Sequence, residues 1–196
     1  MVHRKALRRT AAVLPALLGL VALSACSVAS AGGAPVVTKR WTDTRPAPRG
    51  DAALRSAMLS AHNEARRAVG VAPLVWDPGL VADAARYAQE MARTRRFAHA
   101  PHDPARLEGE NLWMGTRGAY AYGDMVGAWV AERRYYRAGR IPDTSSTGRF
   151  GDVAHYTQII WRSSTRVGCA LASNASDDYL VCRYTPVGNV FGQSPL

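Results

Sequence analysis

The hydrophobic period changes once along this chain, and that change limits the folds open to it. From Asp51 to Val69, Leu54, Met58, Ala61, Ala65 and Ala68 recur at helical spacing, and Gly70 supplies a stop. Asp77-Pro78 reads as a second helix start, with Asp at the N-cap and Pro in the first turn. That helix is expected to run to Arg95 with Leu80, Ala84, Tyr87, Ala88 and Met91 inward. A third helix is expected from Tyr120 to Tyr136. The last third differs. Tyr156–Trp161, Arg166–Leu171 and Tyr179–Tyr184 are rich in β-branched and aromatic residues, with short polar turns between them, and read as strands. Helices first and strands last imply an α+β fold.

Ahead of Asp51 the chain reads as an address. Arg4 to Arg9 form a basic start, and Ala11 to Leu23 an apolar run of 13 residues, too short to span a membrane. Leu23-Ser24-Ala25-Cys26 follows and matches the lipobox of bacterial lipoproteins, in which the cysteine carries the lipid. Residues 1–26 are therefore read as a lipoprotein signal peptide, with lipidation at Cys26. Ala29-Ser30-Ala31 is a competing cleavage site that would release the protein without Cys26. Residues 27–50, rich in Ser, Ala, Gly, Pro and Thr, read as a flexible tether. Residues 51–196 read as the folded domain, with Asp51 as the first N-cap. The expected location is the outer face of the cell membrane, or the extracellular space.

An apolar content of 47% is enough for a core. The net charge is +10, and removing the four basic residues of the leader leaves +6. That balance favours anionic surfaces such as lipid headgroups or acidic wall polymers. Nucleic acid is not an expected partner of an exported chain. Cys169 and Cys182 are an even pair in an oxidising space. The polar turn Ser173 to Asp178 between them lets them face each other across a hairpin as a disulfide. Two buried free thiols are the alternative.

Four residues are candidates for chemistry: Glu132 and His155 by their places in the sequence, and His99 and Glu110 through the family motifs given below. His155 stands where Gly151-Asp152 gives way to the expected strand, a rigid place for a side chain. Glu132 shares one face of the third helix with Met125, Trp129 and Tyr136. A carboxylate on an apolar stripe is costly unless partnered. Two imidazoles with carboxylates suit a divalent ion such as zinc. A glutamate beside a histidine also suits a general base. A plain hydrogen-bonded scaffold is the third reading. No G-x-S-x-G is present, and both domain cysteines read as paired, so nothing supports acyl-enzyme chemistry. His62, on the first helix, is read as structural.

Six motifs occur in order: His62-Asn63-Glu64-Ala65-Arg66, Pro73-Leu74-Val75-Trp76-Asp77, Phe97-Ala98-His99, Gly109-Glu110-Asn111-Leu112, Ala154-His155-Tyr156-Thr157-Gln158-Ile159-Ile160-Trp161, and Cys182-Arg183-Tyr184-Thr185-Pro186-Val187-Gly188-Asn189. Over residues 51–196 they resemble the CAP superfamily of cysteine-rich secretory, antigen 5 and pathogenesis-related-1 proteins, here of a bacterial exported type. The resemblance implies a three-layer α-β-α sandwich with a small antiparallel sheet between helices. It implies that His99, Glu110, Glu132 and His155 surround one cleft, with His99 and His155 as ligands where a metal such as Zn is bound. It implies a binding module for small apolar ligands or cell-surface components, tethered to the membrane through its N-terminal lipid. A metal-dependent, protease-like hydrolase using Glu110 or Glu132 is the alternative, and enzyme activity is not the leading expectation. The chain departs from the family pattern at Ala154, where Gly is usual, and at Ala100, where Ser is common. Ala154 would be strained if its position required φ > 0. His102 lies close enough to His99 to compete for its role.

Overall fold

The computed structural model describes residues 47–101 and 106–196. The signal peptide, Cys26, the Ala29–Ala31 site, most of the tether and His102 lie outside the described residues. The elements are α1 (Asp51–Arg67), β1 (Val75–Trp76), α2 (Pro78–Thr94), β2 (Gly109–Thr116), α3 (Tyr122–Ala131), α4 (Ala154–Ile159), β3 (Arg166–Ser173) and β4 (Asp177–Thr185), with 3-10 turns at Glu132–Tyr135 and Phe150–Asp152. The fold is the expected three-layer α+β sandwich. Its four strands lie in the order β1-β3-β4-β2. β3–β4 and β4–β2 are antiparallel, and the two-residue β1 adds one short parallel pairing to β3.

Strand alternation sorts β4 between the two helical layers. Leu180, Cys182 and Tyr184 point to a core shared with α1, α3 and α4, where Met58, Met125, Trp129 and Ile159 are buried. Tyr179 and Val181 point to the other face, where Ala84, Ala88 and Met91 of α2 cover them. α2 lies close because its inward residues are small and because β3 carries Gly168 beneath it. A Cβ on Gly168 would lie 2.4 Å from the Val81 backbone nitrogen. Cys169 and Cys182 are directly opposite in the β3–β4 register and form a disulfide.

α2 begins as read: the Asp77 carboxylate accepts from the N–H groups of Gly79 and Leu80 at 2.8 and 3.2 Å. Those bonds, led by the one from Leu80, hold its carboxyl below the usual range. α1 differs by one residue. Gly50 is its N-cap and Asp51 sits in the first turn, where its charge meets the positive helix end. The third helix is shorter than expected: α3 ends at Ala131 and Glu132 opens a 3-10 turn. The motif Gly109-Glu110-Asn111-Leu112 opens the strand β2, so Glu110 is held by a sheet.

The largest correction concerns Tyr156–Trp161, expected as a strand and found mostly in the helix α4. Its β-branched residues are overruled by what meets its two ends. At the N-terminus the N–H groups of His155 and Tyr156 donate to Glu132 Oε2 at 3.0 and 3.1 Å. At the C-terminus Arg66 Nη1 donates to the carbonyls of Ile159 and Trp161 at 2.9 and 2.8 Å. A distant anion and a distant cation thus satisfy the orphan groups and complement the helix dipole. Arg66 is buried, and its remaining bonds go to the carbonyls of Ala72 and Ser164. Burial lowers its pKa to about 10. Ala154 lies within α4 and is not among the positive-φ residues, so its replacement of Gly carries no strain.

Candidate functional site

Two histidine–carboxylate pairs make up the site. His155 Nδ1 lies 2.6 Å from Glu132 Oε1, and the same glutamate bonds the α4 N-terminus. Glu132 is 6% exposed, so the partner that its apolar stripe required is His155. Trp129 stacks on the His155 ring with centroids 5.9 Å apart. Asn111 donates to the His155 carbonyl at 3.1 Å, and Asn189 to that of Ala154 at 2.8 Å. Asn189 has φ 55, a left-handed conformation that asparagine tolerates, and its Oδ1 accepts from Thr157 at 2.7 Å.

A buried chain of bonds reaches this pair from α1. His62 Nδ1 donates to the Met58 carbonyl at 2.7 Å, which leaves Nε2 to accept from the Tyr184 hydroxyl at 2.8 Å. Tyr184 Oη in turn accepts from Asn111 at 3.1 Å. Burial drives the His62 pKa from 6.5 down to about 4 and the Tyr184 phenol well above its usual value. His62 is therefore a neutral member of the core, as its position on α1 suggested.

The second pair faces solvent. His99 Nδ1 lies 2.6 Å from Glu110 Oε1, which also accepts from the Ala100 N–H at 3.1 Å. The His99 side chain is 67% exposed and that of Glu110 only 8%. Glu110 sits opposite Arg183 in the β2–β4 register. Arg183 Nη2 lies 2.8 Å from Glu110 Oε2, an ion-pair contact without the alignment of a hydrogen bond. The Arg183 guanidinium also lies over the Tyr87 ring, 5.5 Å from its centroid. Among the described residues, Arg183 Nε and Glu108 Oε2 are buried without a hydrogen-bond partner.

These residues line a cleft of about 630 Å³. Asp83, Arg86, Tyr87 and Glu90 come from α2, His99 to Pro101 from the segment after it, and Glu108 to Glu110 from the entry to β2. Arg106, Gln158, Arg183, Gly188 and Asn189 complete it. Gln158 is buried between two glycines: a Cβ on Gly109 or Gly188 would come within 2.3 or 2.6 Å of its amide. Burial raises the Tyr87 phenol pKa, with Glu110 and Glu90 adding to the rise and Arg183 opposing it. His99 and Glu110 belong to this lining, and Glu132 and His155 do not. Sequence reasoning passed over Arg183 and Gln158, although both stand inside quoted motifs. Arg183 reaches Glu110 only through strand register, and Gln158 reaches the cleft only because α4 is a helix.

For a metal, the chemistry of each histidine fits. Each turns Nδ1 to a carboxylate, leaving Nε2 as the nitrogen that pair does not use, the usual orientation of a ligating imidazole. Among the described residues no three His, Cys, Asp or Glu side chains are grouped to hold an ion, so the two-histidine set is a partial one.

Fold and site together define an α-β-α sandwich domain with two histidine–glutamate pairs. The chain belongs to the cysteine-rich secretory protein (CAP) family, whose model matches residues 59–184. It is 42% identical over 139 residues to pathogenesis-related protein 1B of Nicotiana tabacum, covering 70% of this chain and 77% of that protein. To the PR-1 type protein of Sambucus nigra it is 40% identical over 138 residues, covering 70% and 78%. Among solved structures, that of NaASP2 with Zn2+ matches with TM-score 0.60 at 22% identity, over 76% of this chain and 88% of that one. The hookworm platelet inhibitor matches with TM-score 0.57 at 17% identity, over 77% and 79%. At such identities these two likenesses concern the fold alone.

Proposed function

We propose that this is an exported, bacterial-type CAP binding module, held at the cell surface by lipid on Cys26, whose cleft takes a polar cell-surface component. The observation that carries this reading is the composition of the cleft. Its walls are mostly charged or amide side chains, and Tyr87, Ala100 and Pro101 are the apolar surface they leave. A small apolar ligand, the other expected class, finds little to bury there. Arg183 Nε and Glu108 Oε2 make no hydrogen bond, although Glu108 Oε2 has Arg183 Nη1 at 3.8 Å, and such groups suit a ligand bearing hydroxyl or charged groups.

Binding is favoured over catalysis by the state of the two glutamates. Glu132 gives its oxygens to His155 and to two backbone N–H groups. Glu110 gives one to His99 and Ala100 and the other to Arg183. Neither stands free as a base, so metal-dependent hydrolysis gains no support. His99 and His155 are the residues that the family resemblance would assign to zinc, and of the two only His99 lines the cleft, where an ion it held would supply positive charge for an anionic group of the ligand. One solved relative was crystallised with Zn2+.

The test is to incubate the purified exported chain with a cell-envelope extract and identify what it retains by mass spectrometry. The expected catch is polar, and His99→Ala or Arg183→Met lowers its recovery. Retention of lipids alone, equally by wild type and variants, would sink the proposal.

A further inference from the structure

One run of the domain is rich in exposed arginine. Between residues 47 and 196 the chain has eighteen arginines and fourteen acidic residues. The stretch from Arg133 to Arg149 holds five of those arginines and one acid, Asp143, which equals the whole excess. Arg149 is paired to Asp152 at 2.8 Å, leaving Arg133, Arg134, Arg137 and Arg140 exposed with the exposed Asp143, a net charge of 4 − 1 = +3.

Backbone bonds gather this stretch with the segment around Phe191. Arg137 N–H donates to the Thr144 carbonyl and Ser146 N–H to that of Tyr135, closing the stretch into a two-armed loop. Ile141 N–H donates to the Gln193 carbonyl, Gly192 N–H to that of Ile141, and Arg140 Nη1 to the Gly192 carbonyl at 2.7 Å. Phe191 is therefore held beside Arg140, at the end of the arginine run. It is 71% exposed, and its ring meets that of Phe150 with centroids 6.2 Å apart. An apolar ring held out into water among cations matches the make-up of an interfacial anchor: charge for anionic headgroups, apolar surface for the acyl boundary.

We propose that this face docks on an anionic phospholipid membrane, Arg133, Arg134, Arg137 and Arg140 meeting the headgroups and Phe191 entering beneath them. An acidic polymer would use the arginines but would give Phe191 nothing to enter. The run Arg93, Arg95 and Arg96 with Phe97 is the rival surface, but it has three arginines against four, and Phe97 is less exposed than Phe191, 46% against 71%.

The experiment is co-sedimentation of the exported chain from residue 27, made without acylation, with two kinds of vesicle. One is phosphatidylcholine alone, and the other an equal mixture with phosphatidylglycerol. The expected result is binding to the mixed vesicles only, weakened about a hundredfold by R133Q/R134Q/R137Q and about tenfold by F191S. The control R93Q/R95Q/R96Q, which removes the same charge, leaves binding within about twofold. Circular dichroism verifies that each variant is folded. Equal loss in the control, equal binding to both vesicles, or an F191S protein that binds as wild type and is displaced by a soluble polyanion would each overturn the proposal.

Discussion

At the scale of single residues, the buried polar groups decide how the site behaves. His62 is kept neutral with a pKa of about 4 against an ordinary 6.5. Between those values the unfolded chain takes up a proton that the native state refuses. Stability therefore falls as pH drops from 6.5 toward 4, and levels off below 4, where both states are protonated. The full swing is about 3 kcal/mol. Urea midpoints measured from pH 4 to 7 should show a steeper acid decline for wild type than for His62→Gln. Identical profiles would mean that His62 is not held neutral. Glu132 shows what could be read ahead of the structure at this scale. Its place on an apolar stripe announced a partner, because a lone buried carboxylate is not tolerated. That the partner was His155, together with the start of a helix, was not legible: 23 positions separate them, and no local pattern encodes the contact.

At the scale of elements, close approach is the controlling fact. Gly168 lets α2 rest on β3, and an added Cβ would also lie 2.6 Å from the Leu80 carbonyl carbon and Cβ. Gly168→Ala should lower stability by about 1–3 kcal/mol in thermal melts. Gly127→Ala is its counterpart: exposed in α3, with nothing within 4 Å of the new methyl, it should gain up to about 1 kcal/mol. A melt that ranks them the other way would contradict the packing described. The Cys169–Cys182 link, 13 positions apart, closes the β3–β4 hairpin. Replacing both with alanine should cost about 3 kcal/mol in urea unfolding, and an unchanged midpoint would show that the strand ladder suffices alone. α1, α2 and the hairpin were legible because their signals are local: apolar spacing, an Asp-Pro start, a polar turn. α4 was not. Its composition favours a strand, and its helical state is imposed by Glu132 and Arg66 from other parts of the chain.

At the scale of the whole molecule, the two histidine–glutamate pairs do different work. His155–Glu132 fastens α4 to the end of α3, while His99–Glu110 forms part of the wall of an open polar cleft. The motif resemblance named all four residues but could not divide them between these roles, since the division follows from the different exposure of the two histidines and from the register that brings Arg183 to Glu110. The most direct test is to measure, side by side, the stability of Glu132→Gln and Glu110→Gln and their recovery of the polar envelope ligand. Glu132→Gln should lose about 2–3 kcal/mol of stability, since an amide cannot accept in place of both carboxylate oxygens. Glu110→Gln also gives up a buried ion pair with Arg183 and should lose stability too, but the folded variant should lose the ligand, whereas folded Glu132→Gln should keep it. A Glu132→Gln protein as stable as wild type, or a Glu110→Gln protein that keeps its ligand, would contradict the division of labour.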